Sequence, residues 1–320
     1  MKNKKLIFWA ALVIINLCLA LIIVSVYYYR TNSSSNGITE RLEKAEKAGG
    51  PEGVGIWRTD DKLGYSHIAN SSGVHKTENF KVRYTIGPSG ERYIPAPEAP
   101  AGRILFLGGS LTFGHGVEDL ETFPAVLAKE YWSDFEIVNR AVMGWGTSHA
   151  YLTLLESLES ASAPDMVIYG YIPDHAVRNY IRRDWLVVMD RYKRRHPHFE
   201  LMDGKLRFQG VVGMAEGLKN SRELGEKEIE LTAALLAAMQ EACRAKKIPF
   251  VVLLLPKLQP FKAEVIEALK VNRISTLDIS NERPEGFKSD PHPNANDHRR
   301  IAEAILNSFI GSGLERGQGE

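Results

Sequence analysis

From Arg103 onward, short apolar runs alternate with helix-length stretches, and this alternation constrains the fold more than any other feature. The runs fall at 103–107, 136–139, 166–172, 249–255 and, more weakly, 274–279. Helical stretches are expected at about 122–132, 148–161, 226–246, 260–270 and 295–310. Apolar strands separated by helices imply a parallel sheet covered by helices on both faces, an α/β class. Ligand sites of such folds sit at the carboxyl ends of the strands. Four segments of unusual composition fall there: 108–114, 141–147, 173–179 and 289–294.

The first of them follows a buried strand with Gly108-Gly109 and then Ser110. Glycines permit a sharp turn, and a helix N-terminus offers unpaired N–H groups beside the hydroxyl, an arrangement suited to a nucleophile. A serine there also suits a helix N-cap, so the decision rests on a base within reach. His292 is the candidate base, and Asp290, two residues before it, is suited to orienting the imidazole and stabilising its charged form. The backbone N–H groups of Ser110 and Gly144 are candidate oxyanion donors. His115 follows the nucleophile closely enough to line a pocket, and His298 reads as a surface residue of the last helix. His196 and His198 straddle Pro197 in a basic stretch. No His-Glu-x-x-His pair is present, so no metal is expected.

Three stretches, Gly108-Gly-Ser-Leu-Thr-Phe-Gly114, Asn139-Arg-Ala-Val-Met-Gly-Trp-Gly146 and Asp290-Pro-His-Pro-Asn294, resemble in order and spacing the first, second and fifth blocks of the SGNH/GDSL hydrolases. The similarity covers about 103–310, with a lead-in hairpin (80–94) like that of a bacterial branch. The resemblance implies a three-layer α/β/α domain with a flavodoxin-like sheet and no metal or cofactor. It also implies Ser110 as nucleophile, His292 as base, Asp290 as its orienter and Gly144 as an oxyanion donor. Two departures stand out. Gly109 replaces the acidic residue that precedes the family's serine, and the third-block Asn, whose amide completes the oxyanion hole, has Asp174 at its place. An ionised carboxylate accepts hydrogen bonds and cannot donate them, so His175 is the more sensible donor, with Asn179 a third candidate.

Upstream, Lys2, Lys4 and Lys5 precede an apolar run over 6–29. At about 1.5 Å per residue this covers roughly 36 Å, enough to cross a ~30 Å hydrocarbon core. The run is too long for a cleaved signal peptide and ends in Tyr27-Tyr28-Tyr29-Arg30, so an uncleaved signal anchor is expected over 1–30. The basic end would stay in the cytoplasm and the body outside it, in the periplasm if the host is Gram-negative. A linker (31–50), a β-rich lead-in (51–102), the main domain (103–312) and a tail (313–320) follow. Within the main domain, 174–225 reads as an irregular insertion or lid. Cys18 and Cys243 cannot plausibly meet and read as structural thiols. A net charge of +1 gives no ground for nucleic-acid binding. The expected function is a serine esterase acting on ester-linked acyl groups, foremost acetyl, of small molecules or of an envelope or exported carbohydrate. Acyl transfer with the same triad and a non-catalytic carbohydrate-binding role are the alternatives. Tyr169, Tyr171, Trp145 and Trp185 are candidates for stacking on sugars.

Overall fold

The chain reaches its main sheet through two antiparallel hairpins. β1 (Trp57–Asp60) pairs with β2 (Gly64–His67), and β3 (Ser71–Lys76) with β4 (Lys81–Ile86). The expected hairpin over 80–94 is present in short form: β4 pairs along its length with β3, while across the turn at 87–90 Ile86 bridges Arg92, Gly87 N donates to Glu91 O at 2.8 Å and Tyr93 N donates to Thr85 O at 2.9 Å. Arg92 also bridges Asn139, and its side chain is fully buried. Its Nε donates to Asp119 Oδ1 at 2.6 Å, and its terminal nitrogens donate to the carbonyls of Phe113, Gly114 and Val117.

The central sheet follows, with β5 (Gly102–Gly108), α1 (Ser110–Phe113), α2 (Phe123–Glu130), β6 (Phe135–Asn139), α3 (Thr147–Leu158) and β7 (Met166–Tyr171). After β7 come α4 (Asp174–Asn179), α5 (Arg183–Arg191), and a third hairpin of β8 (His196–Met202) with β9 (Lys205–Val212). α6 (Glu226–Ala245), β10 (Phe250–Leu254), α7 (Ala263–Val271), β11 (Ser275–Asp278) and α8 (Ala295–Ser312) complete the chain. The sheet runs β11-β10-β7-β5-β6 with every pairing parallel. Counted within the sheet, this is the order 2-1-3-4-5 of flavodoxin-like folds, whose chain direction switches between the first and third strands, here β5 and β7.

β5 shows why its sequence reads as an unbroken apolar run. Ile104 and Phe106 pack on one face with Phe123, Leu127, Ile301 and Ile305, while Leu105 and Leu107 pack on the other with Leu154, Leu236 and Met239. Alternate side chains point to opposite faces, and both faces are covered. Cys243 lies in the second of these cores, where burial pushes its thiol up to about 12.

The structure described is that of a computed structural model covering residues 54–179, 183–191, 193–213, 226–256, 261 and 263–312. The expected membrane anchor (1–30), linker (31–50) and tail (313–320) lie outside the described residues. Among those described, no helix is long and apolar enough to cross a membrane. The expectation of an irregular stretch at 174–225 fails over its described part, which holds two helices and a hairpin. That hairpin turns on Asp203-Gly204, both at positive φ (52° and 71°), the type I′ geometry of a two-residue loop. Phe199 and Val212 of the hairpin are buried, so this segment adds to the core.

Candidate active site

Gly108 ends β5, Gly109 caps α1 from an extended backbone conformation, and Ser110 is the first helical residue. The helix lasts one turn, and its carbonyl end folds back: the N–H groups of Gly114 and His115 both donate to Ser110 O at 3.0 Å. From the second block, the Asn139 amide donates to Thr112 O at 2.8 Å, tying the end of β6 to this turn. The serine thereby stands at the carboxyl end of the switch-point strand on a turn braced from both sides.

The partner loop precedes α8. Asn294 caps that helix by accepting from Asp297 N at 3.1 Å, while the Asp297 carboxylate accepts from the backbone N–H groups of Glu285, Gly286 and Asn294. Phe287 N donates to Asp290 O at 2.8 Å. Held this way, His292 directs Nε2 at Ser110 Oγ, 2.9 Å away, and Nδ1 at Asp290 Oδ1, 2.5 Å away. The same oxygen accepts from His292 N at 2.9 Å. Asp290 is buried, Ser110 is 6% exposed, and the His292 side chain keeps 24% exposure, which leaves its edge open to an incoming molecule. Burial alone would raise the Asp290 carboxyl, but hydrogen bonds from His115 and His292 outweigh it and hold the group well below the usual carboxylate range. Asp290 therefore stays ionised throughout the neutral range.

The side facing the nucleophile is built by the second block and α4. Gly144 adopts φ 85° in a turn closed by Trp145 N donating to Val142 O at 3.1 Å. A Cβ on Gly144 would lie 2.6 Å from Tyr65 Oη, whose hydroxyl donates to Met143 O, so this turn is held close to β2. Asp174 opens α4, half-buried, beside Tyr171. His175 is buried, with Nδ1 2.7 Å from Tyr169 Oη and Nε2 directed at Gly109. Asn179, a candidate donor, spends its amide elsewhere: Oδ1 accepts from Ser148 N at 3.0 Å and Nδ2 donates to Thr232 Oγ1 at 3.0 Å. It serves as a surrogate cap for α3, whose own N-cap, Gly146, carries no side chain.

Arg178 is the residue sequence reasoning passed over. Buried, it donates from Nη1 to Trp145 O at 2.8 Å, stacks its guanidinium on Trp185, and approaches Gly109 alongside His175. Its position in α4 on the His175 side of the helix was the available signal. Other expectations need correction. His298 is completely buried, stacked on Phe123 and accepting from Phe123 N at 3.1 Å, because it supplies the first turn of α2 with an acceptor. Tyr169, Tyr171 and Trp145 are at most 2% exposed, so these three rings belong to the packing and cannot stack on a sugar. His196 is buried against Tyr65 and His149, while His198 lies beside Glu200.

Among the described residues, donor atoms of His115, Asp290 and His292 lie within 4.8 Å of one another, the spacing of a cation site. In the arrangement seen, both imidazoles direct a ring nitrogen at the Asp290 carboxylate, and a cation would have to displace those two bonds. The donor set fits proton transfer better than metal binding.

Comparison with known proteins adds a likeness of shape. No protein-family profile matches the chain, and no curated protein matches it. Among solved structures it is similar to the psychrotrophic esterase EstA from Pseudoalteromonas sp., at 15% identity over 67% of this chain and 100% of that one, with a TM-score of 0.41. A member of the lipolytic protein G-D-S-L family from Veillonella parvula gives 13% identity over 65% and 98% of the two chains, with a TM-score of 0.39. A carbohydrate acetylesterase family member from Sinorhizobium meliloti gives 10% over 66% and 99%, at 0.41. Identities and scores this low decide nothing about chemistry, which has to be read from the site itself.

Proposed function

We propose that this protein is a serine ester hydrolase that works through an acyl-enzyme. The observation that carries the reading is the continuous hydrogen-bonded chain from Ser110 Oγ through His292 to Asp290. Ser110 Oγ attacks the ester carbonyl while His292 Nε2 takes its proton, and Asp290 fixes the imidazole tautomer and balances the imidazolium that forms. His292 then gives the proton to the departing alcohol. In the second half, His292 removes a proton from water, which attacks the acyl carbonyl, and Ser110 Oγ leaves reprotonated. The carbonyl oxygen would take its negative charge against the backbone N–H groups of Ser110 and Gly144, with His175 on the same side.

The substrate we infer is an acetylated small molecule or carbohydrate of the cell envelope or an exported polymer, with the domain held outside the cytoplasm by the apolar segment at 1–30. This part rests on the hydropathy of that segment and on the open edge at His292. Hydrolysis of p-nitrophenyl acetate and of acetylated sugars by the full-length protein is the test. Ser110→Ala should lower kcat/KM at least about 10³-fold, in the range seen when a triad nucleophile is removed. A protein that hydrolyses neither class and leaves Ser110 unlabelled by a fluorophosphonate would sink the reading. An acetylated carbohydrate acceptor among the products would mark transfer in place of hydrolysis.

A further inference from the structure

We propose that His115 is a positioning residue for the Ser110–His292–Asp290 chain, holding the second carboxylate oxygen of Asp290 so that the first is presented to His292. The inference rests on the esterase reading above. Asp290 Oδ1 takes two donors from its own loop, the N–H and Nδ1 of His292, at 2.9 and 2.5 Å. Both lie on one side of the carboxylate, and a carboxylate held at one oxygen is free to pivot about its Cβ–Cγ bond. His115 Nε2 meets Oδ2 at 3.1 Å from a different segment of the chain and removes that freedom. The segment is the one that follows the nucleophile, since His115 N donates to Ser110 O. One residue therefore links the nucleophile's turn to the loop of the acid, 175 positions away in sequence.

His115 is itself fixed. Its ring packs edge-on against His75 and Phe80, at 5.3 and 5.2 Å, and lies 4.3 Å from the His292 ring. Gly116 N donates to Tyr84 Oη at 2.9 Å, and that hydroxyl also meets His75 Nδ1. Three of these side chains come from the β3–β4 region, so the lead-in hairpin forms the wall behind the triad. The charged and titratable groups facing His115 are Asp290, His292, Arg92, His75 and Tyr84. Burial, followed by the neighbouring charge of His292, lowers His115 to about 4. At neutral pH it is thus uncharged; its one N–H belongs on Nε2, since the Asp290 carboxylate is a far stronger acceptor than the Met143 sulfur 2.9 Å from Nδ1, and it places no second positive charge beside the imidazolium formed in catalysis.

Steady-state kinetics of full-length His115→Leu and His115→Gln against pH provide the test. The leucine variant should lose about tenfold to a hundredfold in kcat with little change in KM, the span of a hydrogen bond to a charged group. Losing one donor concentrates the carboxylate charge on the bond to His292, so the acid limb of kcat/KM should move to higher pH by about half a unit. Glutamine, which keeps a donor at that reach, should recover most of kcat and return the limb. A leucine variant whose kcat and acid limb both superpose on the parent overturns the proposal. If the parent shows no ester hydrolysis, the esterase reading fails, and the low-field proton resonance of the His292–Asp290 bond decides the positioning role alone. That resonance should shift in His115→Leu and return towards its parent position in His115→Gln, and a resonance unmoved in the leucine variant overturns it.

Discussion

At the scale of single residues, Gly109 and the start of α4 are matched to each other. A Cβ built on Gly109 would lie 2.8 Å from His175 Nε2, 3.1 Å from Arg178 Nη1 and 3.2 Å from Trp145 O. A side chain at 109 would thus require His175 to shift, and glycine there matches the histidine and arginine that α4 brings against the turn. Gly109→Asp should lower kcat by up to about a hundredfold, because a forced shift beside the reacting atoms costs that order. Measuring p-nitrophenyl acetate turnover checks it, and a variant as active as the parent would show that His175 and Arg178 move aside freely. Ser110, Asp290 and His292 were legible in the sequence because their signals are local: Gly-Gly before a serine, Asp-x-His before a helix. The roles of His115, Arg178 and Asn179 were not, since each depends on a neighbour at least 31 positions away in sequence.

At the scale of elements, the five central strands and the helices between them follow the sequence because each is a run whose periodicity stands on its own. Pairing in the lead-in was only half legible, since β4 carries the same alternation for either neighbour and pairs with both, at length with β3 and briefly with 91–93. The burial of Arg92 is a further feature that no periodicity reports. The Asp203-Gly204 turn is a different kind of miss, a readable two-residue hairpin signal lost in a basic stretch. Arg92 also sets the loop after α1. Its guanidinium lies 4.3 and 4.6 Å from the centroids of the Tyr84 and Phe113 rings, which meet edge to face, and satisfies three carbonyls of 113–117 together with Asp119. Arg92→Met should cost about 3–5 kcal/mol, because three buried carbonyls and the half-buried Asp119 carboxylate lose their donor. Arg92→Lys should recover little, since an ammonium cannot span the same four acceptors. Urea unfolding of both variants would read these losses, and a methionine variant as stable as the parent would contradict the assignment.

At the scale of the whole molecule, buried histidines make stability depend on pH. Burial is the leading cause in each case: it lowers His67, His196 and His298 to about 3, and His115 to about 4. In the unfolded chain each would titrate near its ordinary value of about 6.5. Between those limits the unfolded state binds protons that the native state excludes, so stability rises with pH through this window and falls on acidification from about 6.5 towards 3–4. Each such residue contributes a slope of up to about 1.4 kcal/mol per pH unit. Asp290 acts in the same direction but at lower pH, because its carboxyl, held low, starts to lose its contribution only below the ordinary carboxylate pKa of about 4. The urea midpoint should therefore drop between pH 7 and pH 5, well before the carboxylates protonate. His298→Asn, whose side-chain oxygen takes the place of Nδ1 and can still accept from Phe123 N, should flatten that dependence by about one residue's share. A midpoint that stays constant from pH 7 to pH 5 would mean that these imidazoles gain protons without leaving their packed positions.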